Sequence, residues 1–266
     1  MRARRKVDAV SRRAWFMLIH DARMSLPVSL EHLIGGERLA FFRQVALFPL
    51  DLTAVVPSVR PGDDVVVLVH GFFASAGVFR PLRARLEEET GARVATFTHA
   101  PCVGVRRIAR QLAELVDRIP RGARVTVVGH SLGGVVARWY VQELGGHSRV
   151  SRTISLASPF QGIVVPPLLV GADLHAQSAL LKRLRDRAAA CGVPHTSIVA
   201  GLDSVVAGTA TACLGTGDVV VLPNRGHNEL LFDQEATAIV IDRVKRSRRE
   251  GSSDRTAHGP SHAIAL

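Results

Sequence analysis

From Asp63 onward the chain repeats one unit, an apolar strand-like run followed by an amphipathic helix-like run. "DDVVVLVHG" is followed by "FRPLRARLEEE", "ARVATFTHA" by "VRRIARQLAELVDRI", and "ARVTVVGH" by "GGVVARWYVQEL". Runs that are apolar at every position, and not at alternate ones, must be covered on both faces. Helices of 10–15 residues between them return the chain to the same end of the sheet, which makes the strands parallel. The alternation continues through "VSRTISLAS", a long insertion with the helix "SALLKRLRDRAAA", the strands "HTSIVAG" and "DVVVLP", and a last helix near "FDQEATAIVIDRV". The pattern predicts an α/β domain over residues 61–245, a mostly parallel central sheet with helices on both faces.

The two ends differ from this middle. Residues 1–60 show helical patterning, with Val7, Val10, Ala14, Met17 and Leu18 on one face; Gly35-Gly36 and Pro49 then interrupt later apolar segments. Two readings stand for this extension, a cap packed on the main domain or an interfacial anchor. Residues 246–266 keep no apolar period and read as a disordered basic tail. The net charge of +11 suggests nucleic acid until it is located. Residues 1–60 carry ten Lys and Arg against five Asp and Glu, residues 243–266 six against two, and residues 61–242 eighteen against sixteen. A near-balanced middle has no basic groove for nucleic acid, and basic arms fit peripheral contact with an anionic membrane surface. No run approaches the roughly 18 apolar residues of a membrane span. The uninterrupted stretch Ala14–Ile19 is short for a secretory signal, so a cytoplasmic protein, peripheral at the membrane or soluble, is expected. Cys102, Cys191 and Cys213 have no metal-binding spacing and read as buried reduced thiols.

Between the third strand and its helix stands Gly129-His130-Ser131-Leu132-Gly133. G-x-S-x-G at a strand-to-helix turn is a nucleophile elbow, which holds the serine above the carboxyl edge of the sheet, where open α/β sheets bind their ligands. A serine hydroxyl needs a base. Of eleven histidines, His20 and His32 precede the sheet, and His258 and His262 lie in the tail, separated by Gly259-Pro260, which excludes a helical metal pair. His70 and His130 sit in strand-exit turns and read as structural, while His99, His147, His175 and His195 read as solvated or satisfied. His227 follows the last strand and a short loop, at the same sheet edge as Ser131. An oxyanion would be held by the N–H groups of Leu132 and of Phe72, in the loop after the first strand. The acid lies between the insertion and His227, where two aspartates stand. Asp218 opens "DVVVLP" and so belongs to the opposite edge; Asp203 follows "HTSIVAG" at the edge that carries Ser131.

Taken as a set, "VHGF", "VGHSLGGVVARW", "SLASPFQG", "GLDSVV" and "GHNELL" resemble the motifs of bacterial triacylglycerol lipases and related esterases of the α/β-hydrolase superfamily, over about residues 64–242. The resemblance implies an α/β-hydrolase fold and places Asp203 at the position of the acid in those lipases. One departure is visible, since such lipases often carry Pro-His before Gln-Gly or Arg-Gly and this chain has Pro159-Phe160-Gln161-Gly162. The insertion at about 163–194 begins with an apolar run and reads as a short lid. Phe73, Phe160, Ile163, Val164 and Leu168 are the expected acyl-binding wall. The expected function is a serine carboxylester hydrolase, a lipase or esterase, with catalytic Ser131, Asp203 and His227, oxyanion donors Phe72 and Leu132, a lipid or acyl-ester substrate, and no metal or cofactor. The alternatives are an acyltransferase or thioesterase of the same fold, and a non-catalytic lipid-binding protein.

Overall fold

The structure, a computed structural model, describes residues 30–163, 172–206 and 208–257. The repeating unit closes into one six-stranded sheet: β1 (Asp64–Val69), β2 (Arg93–Phe97), β3 (Arg124–His130), β4 (Val150–Leu156), β5 (His195–Ala200) and β6 (Asp218–Leu222). The strand order is β2-β1-β3-β4-β5-β6, and every neighbouring pair is parallel. After β1 the chain steps outward to β2 and then returns past β1 to β3, so the order reverses at β1/β3. That reversal opens a crevice at the carboxyl ends of these two strands.

Strand alternation divides the core. Val65, Val67 and Val69 of β1, with Val125 and Val127 of β3, point into one apolar layer; Val66, Leu68 and Val128 point into the other. The first layer is closed by α3 (Val105–Asp117), α4 (Leu132–Glu143) and α5 (Ala179–Arg187), the second by α2 (Arg80–Thr90) and α6 (Gln234–Ala257). In α3 the apolar stripe Val105, Ile108, Ala109, Leu112, Leu115 and Val116 is buried, at the helical spacing read from the sequence.

Three expectations change. A helix α1 (Leu30–Leu47) runs unbroken through Gly35-Gly36, because Gly36 serves close packing: a Cβ there would stand 1.8 Å from Glu229 Oε1. Residues 246–257, read as tail, continue α6. Polar contacts to the body support this extension in place of an apolar stripe: Ser247 bonds Ser151 at 3.1 Å, Arg248 pairs with Asp64 at 3.5 Å, and the Arg248 carbonyl accepts from Arg124 Nη1 at 3.0 Å. Of the three free cysteines, Cys213 is buried, whereas Cys191 is half-buried and Cys102 exposed. Among the described residues no helix is long and apolar enough to cross a membrane. The amphipathic pattern at residues 7–18 and residues 258–266 of the tail lie outside the described residues.

Candidate active site

The crevice at β1/β3 receives Ser131. Its backbone, at φ 51° and ψ −121°, is in a region that side-chain-bearing residues avoid. Sheet and helix hold it there. Ser131 N donates to Leu156 O at 2.8 Å, extending the β3/β4 ladder by one residue, and α4 begins at the next residue. The turn requires glycines on both sides. A Cβ on Gly129 would stand 2.3 Å from the Gly133 carbonyl carbon, and one on Gly133 would stand 2.0 Å from Val69 O. Strand, turn and helix thus approach to backbone contact. Leu132 is the first residue of α4, and its N–H has no intrahelical acceptor. Phe72 lies across the crevice in the turn after β1, partly buried against the core.

Asp203 and His227 arrive from the loops after β5 and β6. His227 Nδ1 and Asp203 Oδ2 are 2.8 Å apart, and both side chains are almost wholly shielded. A carboxylate can only accept here, so Nδ1 carries the hydrogen, which in a neutral ring leaves the Nε2 lone pair for a base. The other carboxylate oxygen, Oδ1, accepts from Val205 N at 2.9 Å and Val206 N at 2.7 Å, which fixes the acid in its own turn. His130, the residue before Ser131, has its ring centroid 4.9 Å from that of His227 and donates from Nε2 to the His227 carbonyl at 3.1 Å. His227 is thereby tied to the elbow itself. Asp218 lies at the other end of β6, exposed and 3.6 Å from Arg243.

His70 and His99 near this edge, and His195 at the opposite end of β5, are held in hydrogen-bonded structural settings. His70 and His99 stack at 3.8 Å; His70 Nδ1 donates to Gly71 O at 2.8 Å, and His70 Nε2 accepts from His99 N at 3.1 Å. Burial pushes the imidazoles of His70 and His130 down to about 3, so both are neutral. His195 is buried among Thr153, Ser155 and Ser197 hydroxyls and held well below the usual range, again by burial.

Two residues of the expected acyl wall are buried in the core. Phe160 has no exposed surface and packs edge-on to His195 at 5.4 Å, and Ile163 is buried in the core layer under α4 and α5. These two are core residues, because the phenylalanine in the Pro-Phe-Gln-Gly turn points inward. Leu180, Leu181 and Leu184 of α5 are also buried, so this part of the insertion is docked on the body. Val164 and Leu168 lie outside the described residues. Phe73, in contrast, is 61% exposed and lines a surface depression with Phe48, Leu52, His99 and Pro101 beside the turn after β1. Sequence reasoning missed two contributors to the site. His130 passed as a turn residue, and Glu37, which accepts hydrogen bonds from the residues after His227, carried no signal at 191 residues' separation. Among the described residues no group of three or more His, Cys, Asp or Glu could hold a metal.

Residues 65–201, just over half of the chain, match the family model described as palmitoyl protein thioesterase. The chain belongs to this family. The thioesterase match runs from β1 to the end of β5, so it contains Ser131 and stops two residues before Asp203. Among solved structures, a monoacylglycerol lipase of Paleococcus ferrophilus is similar at a TM-score of 0.61 and 14% identity, covering 74% of this chain and all of the lipase. The TT1662 protein of Thermus thermophilus gives 0.51 and 15% over 73% of this chain and 92% of its own, and the lin2722 product of Listeria innocua 0.52 and 14% over 67% and 92%. At such identities the likeness is one of fold, the α/β-hydrolase fold. No curated protein sequence matches this thioesterase-family chain.

Proposed function

We propose that this protein is a serine acyl hydrolase, cleaving apolar acyl esters and thioesters through an acyl-enzyme. The observation that carries this reading is the shielded 2.8 Å contact of His227 Nδ1 with Asp203, on the same sheet edge as Ser131 in its left-handed turn. Ser131 Oγ forms a bond to the acyl carbon while His227 Nε2 takes its proton. The Phe72 and Leu132 N–H groups receive the oxyanion, aided by the start of α4. Collapse breaks the bond to the alcohol or thiol, which leaves with the proton from His227. A water then attacks the acyl-enzyme and gives a proton to His227; collapse breaks the acyl–Oγ bond, and His227 returns the proton to Ser131 Oγ as the carboxylic acid leaves.

Family membership supports thioesters as substrates. The carboxylester reading draws on the motif set Val69–Phe72, Val128–Trp139, Ser155–Gly162, Gly201–Val206 and Gly226–Leu231, and triacylglycerols are one class to include in its test. Phe73, with the apolar depression beside it, is the surface this reading assigns to the acyl chain. We take residues 61–245 as the catalytic unit, with α6 running on from it to Ala257, and 1–60 as its extension. Peripheral contact with anionic lipid is supported by the basic ends and by the exposed Leu39, Phe41, Phe42 and Val45 of α1, with Arg38 and Arg43 among them.

Nitrophenyl esters of two to sixteen carbons, triacylglycerols, and acyl thioesters of the same chain lengths separate these substrate classes. Turnover of the longer chains, lost in Ser131→Ala, is expected; a Ser131→Ala variant as active as wild type would exclude the reading. Failure of a fluorophosphonate to react with the wild type would favour a non-catalytic lipid-binding protein. An acyltransferase would give an ester or amide product in excess over free acid when an acceptor alcohol or amine is supplied.

A further inference from the structure

α1 lies across the carboxyl edge of the sheet with one polar face turned inward. Glu37, Ala40 and Gln44, spaced three and four residues apart, share that face; Ala40 and Gln44 are buried and Glu37 is half-buried. The Glu37 carboxylate accepts Asn228 N at 3.0 Å on each oxygen, Asn228 Nδ2 at 2.7 Å on Oε1, and Glu229 N at 3.3 Å on Oε2. One carboxylate therefore gathers two consecutive backbone N–H groups and a side-chain amide directly after His227. Such charge-assisted bonds are stronger than neutral ones.

The peptide unit joining His227 to Asn228 is held at both poles. Its carbonyl oxygen accepts from His130 Nε2 at 3.1 Å, and its N–H donates to Glu37. The plane from which the His227 side chain departs is thus gripped from the elbow on one side and from α1 on the other. Two glycines make the approach of α1 close enough. A Cβ on Gly226 would stand 2.4 Å from Glu37 Oε2, and one on Gly36 would stand 1.8 Å from Glu229 Oε1, a carboxylate whose Oε2 accepts Gly226 N at 2.6 Å. Seven residues beyond Glu37, Gln44 Nε2 donates to Phe73 O at 3.3 Å in the turn after β1. The same helix therefore fastens the loop of the base and the loop of the oxyanion donor.

We propose that Glu37 is a positioning residue, which sets the His227 imidazole against Ser131 by clamping the His227–Glu229 backbone. The inference rests on the reading of His227 as the base. A displacement of about 1 Å at a reacting group costs about 10²-fold in rate, a scale that a loosened loop would reach. Glu37 bonds the backbone and amide that follow His227, not the side chains of Ser131, Asp203 or His227, so its loss should act on turnover more than on KM.

The test compares full-length wild type, Glu37→Ala, Glu37→Gln, Asn228→Ala, the Glu37→Ala/Asn228→Ala double variant and His227→Ala on the acyl ester or thioester that wild type turns over best. For the Glu37 and Asn228 variants kcat is expressed per active site titrated to completion with a fluorophosphonate, which removes any unfolded fraction, and for His227→Ala per folded chain. Glu37→Ala should lower kcat about 10²-fold with KM within about twofold, and Glu37→Gln, which keeps one acceptor oxygen and the side-chain volume, about 10-fold. The double variant should be no slower than Glu37→Ala, because both changes break one clamp. The proton resonance of the His227–Asp203 bond should broaden in Glu37→Ala, which a remote packing defect would not do. Wild-type kcat per site in both Glu37 variants, with His227→Ala inactive, would overturn the clamp and leave the base in place. An active His227→Ala would instead overturn the assignment of the base. If Glu37→Ala does not fold, Glu37→Gln decides: an unchanged kcat per site sinks the proposal.

Discussion

The two edges of the sheet treat their backbone differently. At the amino edge every strand is entered through a left-handed glycine within five residues: Gly62, Gly91, Gly122, Gly145, Gly192 and Gly217 precede β1 to β6 in turn. At the carboxyl edge, the exits from β1 to β4 carry left-handed residues with side chains, Phe73, Cys102, Ser131 and Ala157. Glycine adopts this conformation at no steric cost, whereas any other residue stores strain that its surroundings must hold. Ion pairs such as Arg124–Asp64 at 3.2 Å and Arg243–Asp218 line the amino edge. Neutral buried histidines and the His227–Asp203 pair line the carboxyl edge. Positive-φ residues that carry side chains are thus gathered at the carboxyl edge, where the candidate site lies, while glycines take the corresponding turns at the amino edge.

The largest expected contrast between the edges is in turnover. Asp203→Asn should lower kcat by about three to four orders of magnitude, as when an imidazole loses its orienting carboxylate. Asp218→Asn, nine residues before His227 in sequence but at the other edge, should change it less than about twofold; equal losses in assays of the two variants would break the comparison. Stability comes next. Gly129→Ala drives a Cβ into backbone atoms 2.3 Å away and should cost about 3 kcal/mol or more in urea unfolding. Gly62→Ala at the amino edge, where nothing lies within 4 Å, should cost about 1 kcal/mol, the left-handed conformation alone.

Acid sharpens the same contrast. Burial holds His70 and His130 at about 3 in the folded protein, well below the ordinary 6.5 of the unfolded chain. Below 6.5 the unfolded chain binds protons that these sites refuse. Stability is therefore full above that pH and is lost as pH falls toward 3. Melting scans from pH 7 to 4 should show Tm falling by about 5 °C or more per unit below pH 6; a flat profile would contradict neutral burial. The smallest effect is a gain. Ser131→Gly removes the side chain from a strained backbone and should stabilise the fold by about 1 kcal/mol while abolishing turnover. Destabilisation instead would show that the turn holds no such strain.

Much of this was legible in the sequence. Apolar runs marked the strands, β6 proving a half-exposed edge strand, and the location of each catalytic candidate followed from which strand end it adjoined. Strand direction, together with the lipase-like motif around Asp203, separates Asp203 from Asp218, and the parallel β5/β6 pairing has that direction. What escaped was set by contacts distant along the chain. Gly35-Gly36 reads as a break because glycine lowers helix propensity, yet here it admits the Glu229 carboxylate. Phe160 read as part of the acyl wall, but the space beside His195 draws it into the core. The basic stretch after Val244 has no apolar period, and its helix depends on polar contacts with Asp64, Arg124 and Ser151, which no local pattern announces.

The central claim is that the strained turn after β3 carries the nucleophile. Its most direct measurement is the site and stoichiometry of reaction with a fluorophosphonate, read by mass spectrometry of the intact protein and its peptides. The account predicts one adduct per chain, on Ser131, formed far more slowly in Asp203→Asn and absent in Ser131→Ala. An adduct on another residue, or esterase turnover that persists in Ser131→Ala, would contradict it.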